Sequence, residues 1–147
     1  MSPSSVAQNV LEIASVADEQ ARALRKKYNI QTVDMLKDLE YLKEERPLAD
    51  PLVDFLDKLE LAELKKLHVL VMIGERPDRL QEGSRSLSDV FLDLEHTPPG
   101  TPPHRGDKQS YIAFFKSTIF RLPALLTESF HVCREHAIDP DEELAEI

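Results

Sequence analysis

Three residues in the C-terminal part of the chain are of the types that bind metal ions: His131, Cys133 and His136. On a helix, Cys133 and His136 share a side, whereas His131 lies away from both. A zinc site needs about four convergent ligands, so His96 or His104 would have to contribute. We therefore favour a core cysteine with surface histidines, and we predict neither a metal nor another cofactor.

Two catalytic chemistries can be tested against the same segment. Glu128 and His131 have the Glu-x-x-His spacing of di-iron bundles, but such a centre needs a second copy and further carboxylates. A reactive thiolate needs an electropositive, partly open setting, whereas Cys133 shares an apolar stripe with Phe130 and Ala137. No nucleophile-elbow, phosphate-loop or zinc-protease motif occurs. We predict no catalytic residues and favour a non-enzymatic role.

A cluster of arginines follows the most apolar stretch of the first half of the chain: Arg76, Arg79 and Arg85. Guanidinium groups beside a helix end can bind a phosphate or a carboxylate. Such a pocket would include His68 and Tyr111 from two apolar helices. The alternative is pairing with acidic neighbours in the same segment, namely Glu75, Asp78 and Glu82. We favour local pairing and keep anion or small-molecule binding as the second hypothesis.

Helical periodicity dominates the N-terminal segment, residues 1–46. Ser5 and Gln8 have the spacing of a capping box, and apolar residues then recur at helical intervals: Val6, Val10, Ile13, Ala17, Ala21, Leu24 and Tyr28. Asn29 tolerates the left-handed conformation and is expected to end this helix. Thr32 is expected to cap a second helix, which a polar run from Lys43 to Arg46 follows as a solvated face.

The remainder, residues 47–147, is expected to form the core domain. Asp50 before Pro51 predicts a helix start, and a central helix is expected to end at Gly74 as a left-handed residue. Loops are predicted at 75–86 and 96–108, with a helix between them. The aromatic-rich helix from Gln109 is followed at Leu122-Pro123 by either a kink or a new helix. Asp139 before Pro140 predicts a short acidic helix.

Sustained alternation of apolar and polar residues is absent from the sequence. We therefore predict an all-α fold, a single-domain helical bundle of about six or seven helices with no sheet.

The composition excludes several classes of partner. With 18 basic and 27 acidic residues the net charge is −9, which disfavours nucleic acid. No apolar run approaches the ~20 residues that cross a bilayer. The single cysteine, Cys133, cannot form an internal disulfide and fits a reducing compartment, so we expect a cytoplasmic protein.

Three stretches resemble a bacterial family defined only as a domain of unknown function. They are Leu59 to Asp78, with the helix before Gly74, then Tyr111 to Phe130 with Leu122-Pro123, and the acidic end from Ile138 to Glu143. The resemblance spans roughly residues 50–145. It implies a small bacterial helical domain with no assigned reaction.

The first helix suggests what the protein does. It lies outside the core domain and has an apolar side that must pack either on its own bundle or on a second copy of the chain. We therefore predict a non-enzymatic protein-interaction module, with a homodimer as the favoured association.

Overall fold

The structure, a computed structural model, describes residues 1–34, 37–81, 86–95 and 107–145. It confirms the all-α fold, because these residues form helices and turns and contain no strand. The elements, with a 3₁₀ turn at Arg46–Ala49 between the second and third, are α1 Pro3–Lys27, α2 Leu39–Glu45, α3 Asp50–Asp57, α4 Leu61–Glu75, α5 Asp78–Gln81, α6 Leu87–Glu95, α7 Lys108–Ser117, α8 Leu122–Glu135 and α9 Pro140–Glu143.

Helix α1 begins earlier than the capping-box spacing predicts. Ser2 is the N-cap and its hydroxyl accepts a hydrogen bond from the Ser5 backbone N–H, so Ser5 lies inside the helix. The predicted stop is confirmed. Asn29 has a φ of 54°, and the Ile30 N–H donates to the Arg25 carbonyl at 2.8 Å, a bond of the Schellman motif.

The second helix starts later than predicted. Thr32 is not its cap, because Val33 and Asp34 are not helical and α2 begins only at Leu39. Asp50 is not an N-cap either. The 3₁₀ turn runs directly into α3, so Asp50 is already helical and its side chain makes no capping bond.

Gly74 does not end helix α4 as a left-handed residue. The helix continues to Glu75, and Arg76 follows as its C-cap. Glycine is required here for another reason: a Cβ atom at position 74 would lie 1.9 Å from the backbone oxygen of Leu125 in α8. The two backbones are in contact, which only a residue without a side chain permits.

The predicted loop after α4 contains a single helical turn, α5. The second predicted loop lies almost wholly outside the described residues. After it, Asp107 caps α7 by accepting a hydrogen bond from the Gln109 N–H.

Leu122-Pro123 proves to be the start of a new helix. Helix α7 ends at Ser117 and α8 begins at Leu122, with Pro123 in its first turn, where its missing N–H costs no hydrogen bond. The cap at Asp139 is also confirmed, since its side chain accepts a hydrogen bond from the Asp141 N–H.

The core is built around α4 and α8, which make the most extensive contact in the described structure. Helix α1 packs across both of them. Its apolar side is buried through a set of small and medium residues: Val6, Ala7, Val10, Ala14, Ala17 and Ala21. The apolar side of α1 is therefore buried against helices of its own chain.

Candidate functional site

The three predicted metal-binding candidates do not converge. His131 is exposed, and its Nε2 lies 3.0 Å from a carboxylate oxygen of Glu135. Cys133 is buried, whereas His136 is exposed at the end of α8. Within the described ranges, no three His, Cys, Asp or Glu side chains are grouped so that they could hold a metal ion.

The Cys133 thiol is held in its protonated form. Burial raises its pKa to about 11, and the nearby negative charge of Glu143 acts in the same direction. A thiol with this pKa is almost entirely un-ionised at neutral pH, and only the thiolate is a strong nucleophile. Cys133 behaves as a small apolar core residue.

His68 and Tyr111 are brought together, but in the core. Both are buried, and their ring centroids are 5.6 Å apart in an edge-to-face arrangement. The ring of Phe114 lies 5.4 Å from His68 on a similar geometry. This aromatic cluster joins α4 to α7, which is the packing role of such contacts.

Of the predicted arginine cluster, the structure describes Arg76 and Arg79. Arg76 is exposed and pairs with Asp78 at 3.0 Å, and this guanidinium holds the pKa of Asp78 below its usual value. His68 lies two turns earlier on the helix, about 12 Å along its axis. Arg79 is half-buried, and Arg85 lies outside the described residues.

A groove that the sequence did not predict lies between the C-terminal end of α2 and helix α7. It measures about 450 Å³, and we call it the α2–α7 groove. Its lining comes from the end of α2, the 3₁₀ turn, and α7 with the turn that follows: Glu45, Arg46, Ala49, Ala113, Lys116, Ser117, Ile119 and Phe120. Half of this lining is apolar.

A polar network fixes one wall of the α2–α7 groove. The Nε of Arg25 donates to the hydroxyl of Tyr41 at 2.9 Å, and the Arg25 guanidinium lies 5.9 Å from the ring centre of Phe120. Burial of Tyr41 and its hydrogen bond to Glu45 raise the pKa of the phenol, so it stays a hydrogen-bond donor. The network thereby positions Glu45 and Phe120.

Two cations of the groove carry unneutralised charge. Arg46 and Lys116 take part in none of the ion pairs of the described part of the chain. Ser117 adds an acceptor, because its hydroxyl donates its proton to the Phe114 carbonyl at 2.8 Å and keeps its lone pairs. The groove thus offers positive charge, hydrogen-bond acceptors and an apolar floor together.

Two other depressions lack this combination. One, of about 470 Å³ between α1 and α2, is lined by Lys27 and Glu44, which pair with each other at 3.5 Å. The other, of about 300 Å³, lies beside Cys133, and the Nε of Arg134 on its wall donates to a backbone carbonyl at 3.4 Å. Lys27 is neutralised by Glu44 in the first, and the second has one cation where the α2–α7 groove has two.

Little in the sequence points to the α2–α7 groove. Arg46 belongs to a polar run that has the pattern of a solvated face, and Lys116 is one of two lysines in an otherwise uncharged helix. The two lie far apart in the chain, and only the packing of α3 against α7 brings their segments together. Pro47 gives no sign of it either, because a proline disfavours the helical conformation in the residue before it, and Arg46 adopts that conformation, with φ −53° and ψ −45°.

Comparison with protein-family models, with curated proteins and with solved structures gave no match. The resemblance to a bacterial family of unknown function therefore stays a prediction. Among the described helices, none is both long and apolar enough to cross a membrane.

Proposed function

We propose that this chain is a non-enzymatic protein-interaction module, and that its partner binds in the α2–α7 groove. One observation carries the proposal: Arg46 and Lys116, which have no acidic partner among the described residues, line a groove whose remaining lining is largely apolar. A partner segment that covers the groove would bury the apolar floor and supply the missing negative charge.

The state of the reactive groups supports a binding role. Cys133 is protonated and buried, His131 is engaged by Glu135, and His68 is enclosed by aromatic rings. Each of these side chains is occupied in packing or pairing. Cytoplasmic location and bacterial origin stay predictions.

The packing of α1 bears on where we propose the interaction. The sequence favoured a homodimer because the apolar side of α1 needed a partner. Val10, Ala14 and Ala17 on that side are buried within the chain itself, so the same surface cannot serve a second copy while α1 stays packed. We therefore locate the interaction in the groove, and a homodimer through the groove becomes one outcome of its test.

Selection of binding peptides from a displayed random library tests the proposal. We expect enriched peptides to bind the full chain and to lose at least about tenfold in affinity with Ala113→Leu. Ala113 is exposed on α7 and lines the groove, so the larger side chain fills the groove without disturbing the core, and leucine keeps a good helix propensity. Ala62→Leu is the matched control, at an exposed helical position outside the groove lining.

Each result of the peptide selection leads to a different conclusion about the groove. Binding that survives Ala113→Leu, or a library that yields no specific peptide, would contradict the proposal. Light scattering over a range of concentrations covers self-association. If a dimer forms and Ala113→Leu dissociates it, the partner is a second copy of the chain; if a dimer forms and the variant leaves it intact, the groove is not its interface.

One observation favours anion binding as a second candidate function. The Nε of Arg79 is buried and has no hydrogen-bond partner within the described ranges, so an oxyanion could satisfy it. A thermal-shift titration with inorganic phosphate tests this. We expect a rise in Tm with concentration that Arg79→Gln removes; an unchanged Tm would eliminate this candidate.

A further inference from the structure

We infer that the occupant of the α2–α7 groove is the C-terminal end of a peptide, with its carboxylate between Arg46 and Lys116 and its last apolar side chains on the groove floor. This inference rests on the proposed function and gives it a partner chemistry. It depends on three properties of the groove: its charge, its size and its hydrogen-bonding groups.

Charge complementarity selects an anion. The whole chain has a net charge of −9, yet the groove presents Arg46 and Lys116 without an ion-pair partner in the described structure. The carboxylate of Glu45 pairs with neither of them: it bonds to the hydroxyl of Tyr41, and its Oε2 is buried without a hydrogen-bond partner in the described structure, so it is placed to accept a backbone N–H of the peptide. An incoming carboxylate would meet two donors that form charge-assisted hydrogen bonds, which are stronger than neutral ones.

Size selects a short segment. A helix with its side chains is 10–12 Å across and rises 5.4 Å per turn, so a single turn fills roughly 500 Å³. The groove measures about 450 Å³, which falls in the range of sites that bind small molecules. It therefore accommodates a chain end of two or three residues.

The hydrogen-bonding groups favour a peptide over a fatty acid. Ser117 offers only acceptor capacity, because its proton is donated to the Phe114 carbonyl. A peptide end carries backbone N–H donors beside its carboxylate, whereas an aliphatic acid carries none. Ile119 and Phe120 supply an apolar surface on which the side chains next to the peptide's carboxylate can pack.

The test uses the dipeptide N-acetyl-Leu-Phe as the free acid, with its C-terminal amide and octanoate as comparison ligands. Each is titrated into the full isotope-labelled chain and followed by NMR. We expect the free acid to shift amide signals of the 3₁₀ turn and the end of α7. Amidation removes the negative charge and should weaken binding at least about tenfold, and octanoate should bind at least about tenfold more weakly than the dipeptide acid.

Charge variants provide the second arm. Arg46→Gln with Lys116→Gln should weaken binding of the dipeptide acid at least about tenfold and remove the difference between acid and amide. Lys26→Gln with Lys58→Gln removes the same charge at exposed positions outside the groove lining, and should leave the affinity unchanged. The NMR spectrum of each variant also shows that it is folded.

Three results would overturn the inference in distinguishable ways. Equal binding of acid and amide, blocked in both cases by Ala113→Leu, would leave the groove as an interaction site and refute the carboxylate. Octanoate that binds as tightly as the dipeptide would assign the groove to small aliphatic acids. If neither the dipeptides nor peptides from the library bind, the proposed function fails as well.

Discussion

The α4–α8 interface and the α2–α7 groove differ in the way their helices meet. At the interface, Gly74 lets the backbones of two helices touch, and residues on both sides are almost completely buried. At the groove, a polar network of Arg25, Tyr41 and Glu45 holds one wall, and space remains between the walls. The first region is filled by packing, whereas the second is kept in shape by directional hydrogen bonds.

This difference shows where a small helical chain has room for a ligand. A close-packed interface tolerates little change in volume, so it positions the surrounding helices and binds nothing itself. Hydrogen bonds hold Tyr41 and Glu45 in place without requiring the neighbouring volume to be filled. The four predictions below test this contrast, from the largest expected effect to the smallest.

Gly74→Ala should have the largest effect. The added Cβ would overlap the Leu125 carbonyl oxygen, and because that atom belongs to the backbone, α4 and α8 must move apart. We expect a loss of about 3 kcal/mol in the free energy of unfolding, measured by urea denaturation with circular dichroism. At an exposed helical site the same change would stabilise by up to about 1 kcal/mol, so a stabilised variant would refute the close contact.

Alkaline pH should weaken the packed region through Cys133. Burial raises the pKa of its thiol in the folded chain to about 11, from an ordinary value of 9.0. The protonated thiol therefore contributes about 2–3 kcal/mol to the free energy of unfolding. This contribution is fully present below pH 9 and is lost as the pH rises through 11. Unfolding free energies of the wild type and Cys133→Ala, measured against pH, should converge over this window. Parallel curves would show that the thiol does not titrate differently on folding.

Tyr41→Phe should destabilise the groove side by a smaller amount. The change removes the hydroxyl that accepts from Arg25 and bonds to Glu45, while it keeps the buried ring. We expect a loss of about 1–2 kcal/mol in the free energy of unfolding, together with weaker binding of any groove ligand. Tyr28→Phe, a neighbouring ring that is not part of the groove lining, is the control for binding, which it should leave unchanged.

Ser129→Ala should have the smallest effect, and of opposite sign. The Ser129 hydroxyl oxygen is buried in α8 without a hydrogen-bond partner in the described structure. Replacing an unsatisfied buried hydroxyl with a methyl group should stabilise by up to about 1 kcal/mol. A clear loss of stability in denaturant unfolding would mean that the hydroxyl makes a favourable contact, and the packed region would then depend on a polar group after all.

The parts of the fold that sequence predicts well are those with local causes. The left-handed Asn29 and the cap at Asp139 were both predicted correctly, because the bonds they make join residues a few positions apart. Asn29 ends α1 through groups of the same helix. Such features depend on few residues, and all of these are adjacent in the sequence.

The parts of the fold that the sequence predicts poorly depend on contacts between distant segments. Gly74 was interpreted as a helix end, but its role is set by Leu125 on another helix. The α2–α7 groove was missed for the same reason, since Arg46 and Lys116 acquire a shared setting only when α3 packs on α7. His68 and Tyr111 lie in edge-to-face contact inside the core, a packing role that depends on α4 meeting α7 and that no local pattern predicts.

The position of α1 has a consequence for synthesis of the protein. Its main partner, α8, lies near the opposite end of the described chain, and the backbone N–H of Ser4 donates at 2.7 Å to Asp141, 137 positions later. A nascent chain can pack α1 against α4 earlier, but the larger contact of α1 with α8 forms only after α8 has left the ribosome. Non-local closure of this kind slows folding and exposes aggregation-prone surface in the interval, so the part of α1 that packs on α8 is a surface that a chaperone would protect during synthesis.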